Sequence, residues 1–215
     1  MHAAHGFPAG VDLPGMASWA MAFDGELVTA RDRAVWRRWL LRHHASRDGA
    51  FVEFHKKASA SRSITYEEAV EEALCFGWID SRPKKLDDDR WALWFAPRKP
   101  KSVWSAINKE RVERLIADGT MTEAGLAAIE VAKANGAWDQ LNDSDALLVP
   151  DDLAAAFDEH ADARRHWDAF PPSVRKQILG WINSAKRDET RAKRVEETAT
   201  SAAENIRAHQ WRPKT

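Results

Sequence analysis

The 215-residue sequence predicts an α+β fold that is mainly helical: a small antiparallel sheet flanked by helices, followed by a helical C-terminal module. Three observations carry this. Short aromatic and β-branched runs, bounded by turn formers, cluster at 50–56, 78–84 and 90–96. Helical periodicity with capping residues fills the second half. Hydrophobic residues at 44% against charged residues at 30% suit a folded globule and argue against global disorder.

Taken in order, residues 1–15 mix Gly, Pro and His without period and predict a loose N-terminal arm. A short extended piece at 26–28 precedes a helix over 32–45. That helix places Val35, Trp36, Trp39, Leu40 and His43 on one face and Arg33, Arg37 and Arg38 outward. A strand at 50–55 and a polar loop at 58–63 follow. Thr65 with Glu68 three residues on forms a capping box that opens a helix ended by Gly77.

The runs 78–82 and 90–95 then form a hairpin around Asp87, Asp88 and Asp89. With Leu86 facing Arg90, Arg82 lies opposite Trp94, Asp80 opposite Ala96 and Trp78 opposite Arg98. Alternation gathers Ile79, Trp91, Leu93 and Phe95 on a core face and Trp78, Asp80, Arg82, Trp94 and Arg98 on the other. A one-residue slip would reverse every one of these assignments.

Beyond the hairpin, Ser102 is read as capping a helix through Asn108, Val112 and Leu115. Further helices cover 122–135, 150–157 and a segment around Trp167. Pro171-Pro172 opens another, and Asp188 caps the last. The organisation expected is an arm over 1–15, an α+β domain with the Trp-rich hairpin over 16–138, and a helical module over 139–215.

Charge and cysteine content narrow the function. The formal charge of −1 argues against a generally basic nucleic-acid coat. Locally, residues 82–114 hold ten Lys/Arg against five Asp/Glu, while 139–162 hold eight Asp/Glu and no Lys or Arg. The single cysteine, Cys75, cannot form an internal disulfide, and its place near a helix C-terminus disfavours a thiolate. It reads as a buried structural residue. The apolar stretch 16–23 lacks a basic flank and is bracketed by Asp12 and Asp24, so it is not read as a signal peptide; no stretch is long and apolar enough to span a membrane, and a cytoplasmic location is expected.

The sequence contains 11 Trp and one Tyr, which implies a Trp-laced core, a Trp-lined pocket, or both. No H-E-x-x-H, C-x-x-C or Gly-rich phosphate loop occurs, so no metal and no cofactor are expected. Arg98, Lys99 and Lys101 stand just ahead of Ser102 and the expected helix N-terminus, an arrangement suited to an anion or to a plain capped helix behind a solvated loop. The hairpin face with Trp78, Asp80, Arg82 and Trp94 fits either a structural Asp80–Arg pair or a Trp-walled pocket. Together with Trp104 and Asn108, these residues form the candidate ligand site; no catalytic set is recognisable.

Three blocks resemble the YdeI/OmpD-associated (bacteriocin-protection) family of bacterial proteins. They are Tyr66-Glu67-Glu68-Ala69 running into residues 73–80, Phe95-Ala96-Pro97-Arg98 with Ser102-Val103-Trp104-Ser105 and Asn108, and Trp181-Ile182-Asn183-Ser184-Ala185 running through Arg191 to Arg194. Together the blocks and their flanks cover residues 24–207. The resemblance implies a helix-rich fold and a role in protection against bacteriocins or cationic antimicrobial peptides, but no reaction. The reading favoured is stress protection by binding a small anionic ligand or a protein partner. Two others stand beside it: an enzyme using Asp80 or Glu68 as acid or base, and a nucleic-acid-binding regulator using the basic face 186–194.

Overall fold

The computed structural model describes residues 25–56 and 63–209. The arm expected over 1–15 and most of the polar loop at 58–63 fall outside these residues. The chain divides into two compact units, one ending at Pro97 and one beginning at Arg98. This places the division at the end of the hairpin, whereas composition suggested residue 139. The architecture is mainly helical α+β.

In the first unit, β1 (Glu26–Val28), β2 (Ala50–His55), β3 (Trp78–Lys85) and β4 (Arg90–Pro97) form one sheet in the order β1-β2-β4-β3. The three expected strands β2, β4 and β3 pair antiparallel, and β1 makes the sheet mixed by running parallel to β2, with Leu27 beside Phe51. The parallel pair follows from the helix α1 (Arg33–His43) between the two strands, which returns the chain to the starting end of the sheet. Asp32 caps α1 by accepting the Val35 N–H at 2.9 Å.

The second helix, α2 (Tyr66–Cys75), starts with the complete capping box: Glu68 N–H to Thr65 Oγ1 at 3.2 Å and Thr65 N–H to the Glu68 carboxylate at 3.0 Å. Trp36 lies fully buried between α2 and the sheet, donating its indole N–H to the Ala69 carbonyl and meeting Phe95 at 5.7 Å. Arg33 and Arg37, expected outward, instead reach across to α2. Arg33 pairs with Glu71, and Arg37 pairs with the buried Glu72 at 2.7 Å. A carboxylate this buried needs such partners.

The hairpin tip has the expected register, with Lys85 opposite Trp91 and Pro83 opposite Leu93. Between Asp80 and Pro83 the register shifts by one, so Asp80 faces Phe95, Ile79 faces Ala96 and Trp78 faces Pro97. Ser81 and Arg82 are left against Trp94, a bulge. The expected pairings of Asp80 with Ala96 and Trp78 with Arg98 are therefore corrected. Trp78 and Asp80 join Trp91, Leu93 and Phe95 on the helix-facing side, and Ile79 moves to the side bearing Trp94.

In the second unit, α3 (Ala106–Ala117) and α4 (Glu123–Ala134) precede a bundle of α5 (Asn142–Asp145), α6 (Asp151–Glu159), α7 (Ala163–Ala169), α8 (Pro172–Asn183) and α9 (Asp188–Ala203). Leu153, Phe157, Trp167, Ile178, Leu179, Ile182, Val195 and Ala199 form the bundle core. The N-cap of α3 is Ser105, correcting Ser102. The Ser102 N–H instead closes a turn onto the Lys99 carbonyl at 2.8 Å. Asp188 is the first residue of α9 and Arg187 its N-cap, correcting Asp188 as the cap.

Candidate functional site

The sheet face turned away from α1 and α2 carries the predicted residues Arg82 and Trp94. The Arg82 guanidinium lies 5.2 Å from the Trp94 ring and 5.9 Å from Phe51, and Phe51 meets Trp94 edge-on at 4.9 Å. Two glycines set the position of the indole. A Cβ on Gly25 (φ +142°) would stand 2.4 Å from Trp94 Cζ3, and one on Gly49 would stand 2.2 Å from Cζ2. Only a bare backbone lets Trp94 lie there. A cleft of about 430 Å³ opens beside it, lined by Glu26, Arg47, Asp48, Arg82 and Trp94.

Trp78 and Asp80 do not share this cleft. Trp78 is buried against Trp39 at 5.8 Å and donates its indole N–H to the His44 carbonyl at 3.2 Å. Asp80 accepts the Tyr66 hydroxyl at 3.3 Å. A Trp-walled pocket with Asp80 at its centre is thus corrected, because the bulge sends Asp80 and Trp94 to opposite faces. Neither is there an Asp80–Arg ion pair among the described residues. Glu68 holds the start of α2, as described above.

Arg98 and Trp104 meet in the second unit. The Arg98 guanidinium stacks 3.8 Å from the Trp104 ring centroid and donates through Nη2 to the Val103 carbonyl at 2.6 Å. Trp104 is buried and leans on Trp138 at 5.1 Å. A groove of about 200 Å³ runs past this stack, lined by Arg98, Lys99, Pro100 and Trp104 and by Ala127, Ala128 and Val131 of α4. Its charged lining residues are both cations, and α4 contributes only apolar surface.

Lys101 is exposed beside the Lys99–Ser102 turn. Asn108 serves α3 itself: its N–H reaches Ser105 Oγ, and its side-chain carbonyl accepts Arg111 at 3.0 Å. No external anion is needed at this helix N-terminus. The Ala106 N–H donates to Asp145 Oδ2 at 2.6 Å, and Lys176 neutralises the same carboxylate. The acidic partner comes from a position 39 residues along the chain, which spacing near Ser102 does not reveal.

In the C-terminal bundle the basic run 186–194 is partly engaged inside the fold. Arg191 forms a two-pronged pair with Asp152, at 2.6 and 3.0 Å, and also donates to Asn183 Oδ1. This hydrogen bonding holds the Asp152 carboxyl below its ordinary value. Arg194 donates to the Trp181 carbonyl and to Ser184 Oγ at the end of α8, and lies 5.0 Å from the Trp181 ring. The segment Trp181–Arg194 is a clasp that fastens α8 to α9 and α6.

Residues 146–205, which contain this clasp, match the family described as bacteriocin-protection, YdeI or OmpD-associated. Over those residues the chain is similar to the YdeI/OmpD-associated family. Residues 28–128 match a separate family, described as a domain of unknown function, DUF8412. No curated protein and no solved structure matches the chain.

The third sequence block thus lies inside the YdeI/OmpD-associated module, while the first two fall within the other matched region. The resemblance inferred over 24–207 is narrower than expected. Its strongest string has a structural explanation, since Asn183, Ser184, Arg191 and Arg194 are the residues of the clasp. Among the described residues no cluster of His, Cys, Asp and Glu is arranged to hold a metal ion. No helix among them is long and apolar enough to cross a membrane.

Proposed function

We propose that this protein is a cytoplasmic binding protein for a small anionic ligand carrying an apolar part, held in the Arg98–Trp104 groove. We further propose that this binding serves the protective role named in the description of the family of its C-terminal module. The observation that carries the reading is the lining of the groove: Arg98 and Lys99 supply positive charge, no acid lines it, and Trp104, Ala127, Ala128 and Val131 supply apolar walls. A carboxylate or phosphate placed against the two cations gains charge-assisted hydrogen bonds, and the rest of the molecule covers apolar surface.

The test is calorimetric titration with hexanoate, hexanol and hexylamine on the full chain. Hexanoate binds, and the other two bind weakly or not at all. Lys99→Gln weakens hexanoate, and Val131→Asp abolishes it. Equal binding of all three, or indifference to both substitutions, overturns the reading. For the role, production of the chain in a bacteriocin-sensitive bacterium raises survival, and the Val131→Asp form does not.

A second reading is favoured by one observation. Helices α3 and α4 expose Ile107, Ile116, Leu126 and Val131, each with more than two-fifths of its surface accessible. Exposed apolar side chains on two helices suit a protein partner. Leu126→Asp would then disrupt capture of that partner while leaving hexanoate binding unchanged.

A further inference from the structure

We infer that the Trp94 cleft of the first unit is a second binding site, for a small zwitterion with an ammonium group and a carboxylate group. Four charged residues line this cleft, two of each sign. One pair is internally matched: Arg47 and Glu26 lie 3.7 Å apart. The other two, Arg82 and Asp48, make no ion pair with each other or with any other described residue. The Arg82 guanidinium lies over two aromatic rings, Trp94 and Phe51.

Two charges of opposite sign on one cleft, neither ion-paired among the described residues, define a ligand with the complementary pair. The ligand's carboxylate faces Arg82, its ammonium faces Asp48, and its body lies along the Trp94 indole. A simple anion leaves Asp48 unmatched and is repelled by it, and a simple cation has the same difficulty with Arg82. The cleft is also rigid where it needs to be. Gly25 and Gly49 leave Trp94 seated against bare backbone, so the floor is formed before any ligand arrives. Its volume of about 430 Å³ falls within the range of small-molecule sites, with room for a dipeptide as well as a single amino acid.

The sources of this chemistry, a free amino acid or a short peptide, are separated by the probes. Leucine, the dipeptide Ala-Leu, N-acetyl-Ala-Leu and Ala-Leu-amide are titrated calorimetrically into the full-length chain. The expected result is that Ala-Leu binds at least about fivefold more tightly than either blocked form, as expected for one surface ion pair lost. Leucine binding as tightly as Ala-Leu assigns the site to amino acids, and weaker binding assigns it to peptides.

Asp48→Asn weakens Ala-Leu about fivefold and leaves the acetylated form unaffected; Arg82→Gln does the same with respect to the amide. Both side chains are exposed, so neither substitution threatens folding. Equal affinity for the free and both blocked dipeptides overturns the inference. So does failure of both zwitterions to bind, or binding that neither substitution changes.

Discussion

The Asp145 carboxylate accepts the backbone N–H of Ala106 at 2.6 Å and pairs with Lys176 on its other side. One side chain therefore links the first turn of α3 to α8. The positive end of α3 is satisfied by the protein's own anion, held at only 9% side-chain exposure. Removing the carboxylate orphans both the N–H and the ammonium. Asp145→Ala is expected to cost about 2 to 3 kcal/mol, between the loss of a helix cap and the breaking of a buried ion pair. Asp145→Asn keeps an acceptor and costs less. Urea unfolding of the two variants checks the order.

Gly49→Ala is expected to destabilise the first unit by about 2 to 3 kcal/mol, because the new methyl collides with Trp94 and with the Phe95 carbonyl, 2.8 Å away. Gly119→Ala is the control. It has φ +66° but open space around its Cβ, so it carries only the backbone cost of about 1 kcal/mol. Thermal melts compare the two, and the fluorescence of Trp94 shifts only in the first.

Asp152 gives the YdeI/OmpD-associated module an acid-sensitive contact. Hydrogen bonding from Arg191 holds its carboxyl below the ordinary 3.8. A depressed folded value means stability that is present above the unfolded value and lost as pH falls through the folded one. Asp152→Asn should therefore reduce stability at pH 7 by about 1 kcal/mol or less, since the pair is partly exposed, and by much less near pH 2. Unfolding free energies at the two pH values test it, and an equal deficit at both contradicts it.

Cys75 is fully buried and free of any disulfide, so a thiol reagent should label the native protein slowly. The labelling rate should rise with denaturant in step with loss of helix signal. Rapid stoichiometric labelling without denaturant is the contrary result.

Much of the fold was legible because it rests on local rules. The Thr65–Glu68 box, the face carrying Trp36 and Leu40, and the pairing at the hairpin tip follow from spacing alone. What escaped depends on distant partners or on one unpaired residue. The extended piece at 26–28 was legible, but three residues carry no signal for its parallel pairing with β2. Ser102 and Ser105 are both plausible caps by composition, and only the placement of the next turn distinguishes them. Of the candidate site, Arg82 with Trp94 and Arg98 with Trp104 do line clefts. The set built around Asp80 failed at the bulge.

That bulge makes side-chain parity in β3 local. Trp78 and Arg82 are separated by an even number of positions, yet the first lies beneath helices and the second stacks on Trp94. Probes attached at 78 and 82 on the assumption of a regular strand would report from opposite sides of the sheet. Deleting Ser81 would remove the spare residue and join both halves of the ladder into one continuous register, with Arg82 still across from Trp94 and Asp80 still across from Phe95. This strand can lose one residue at that point without exchanging inside for outside.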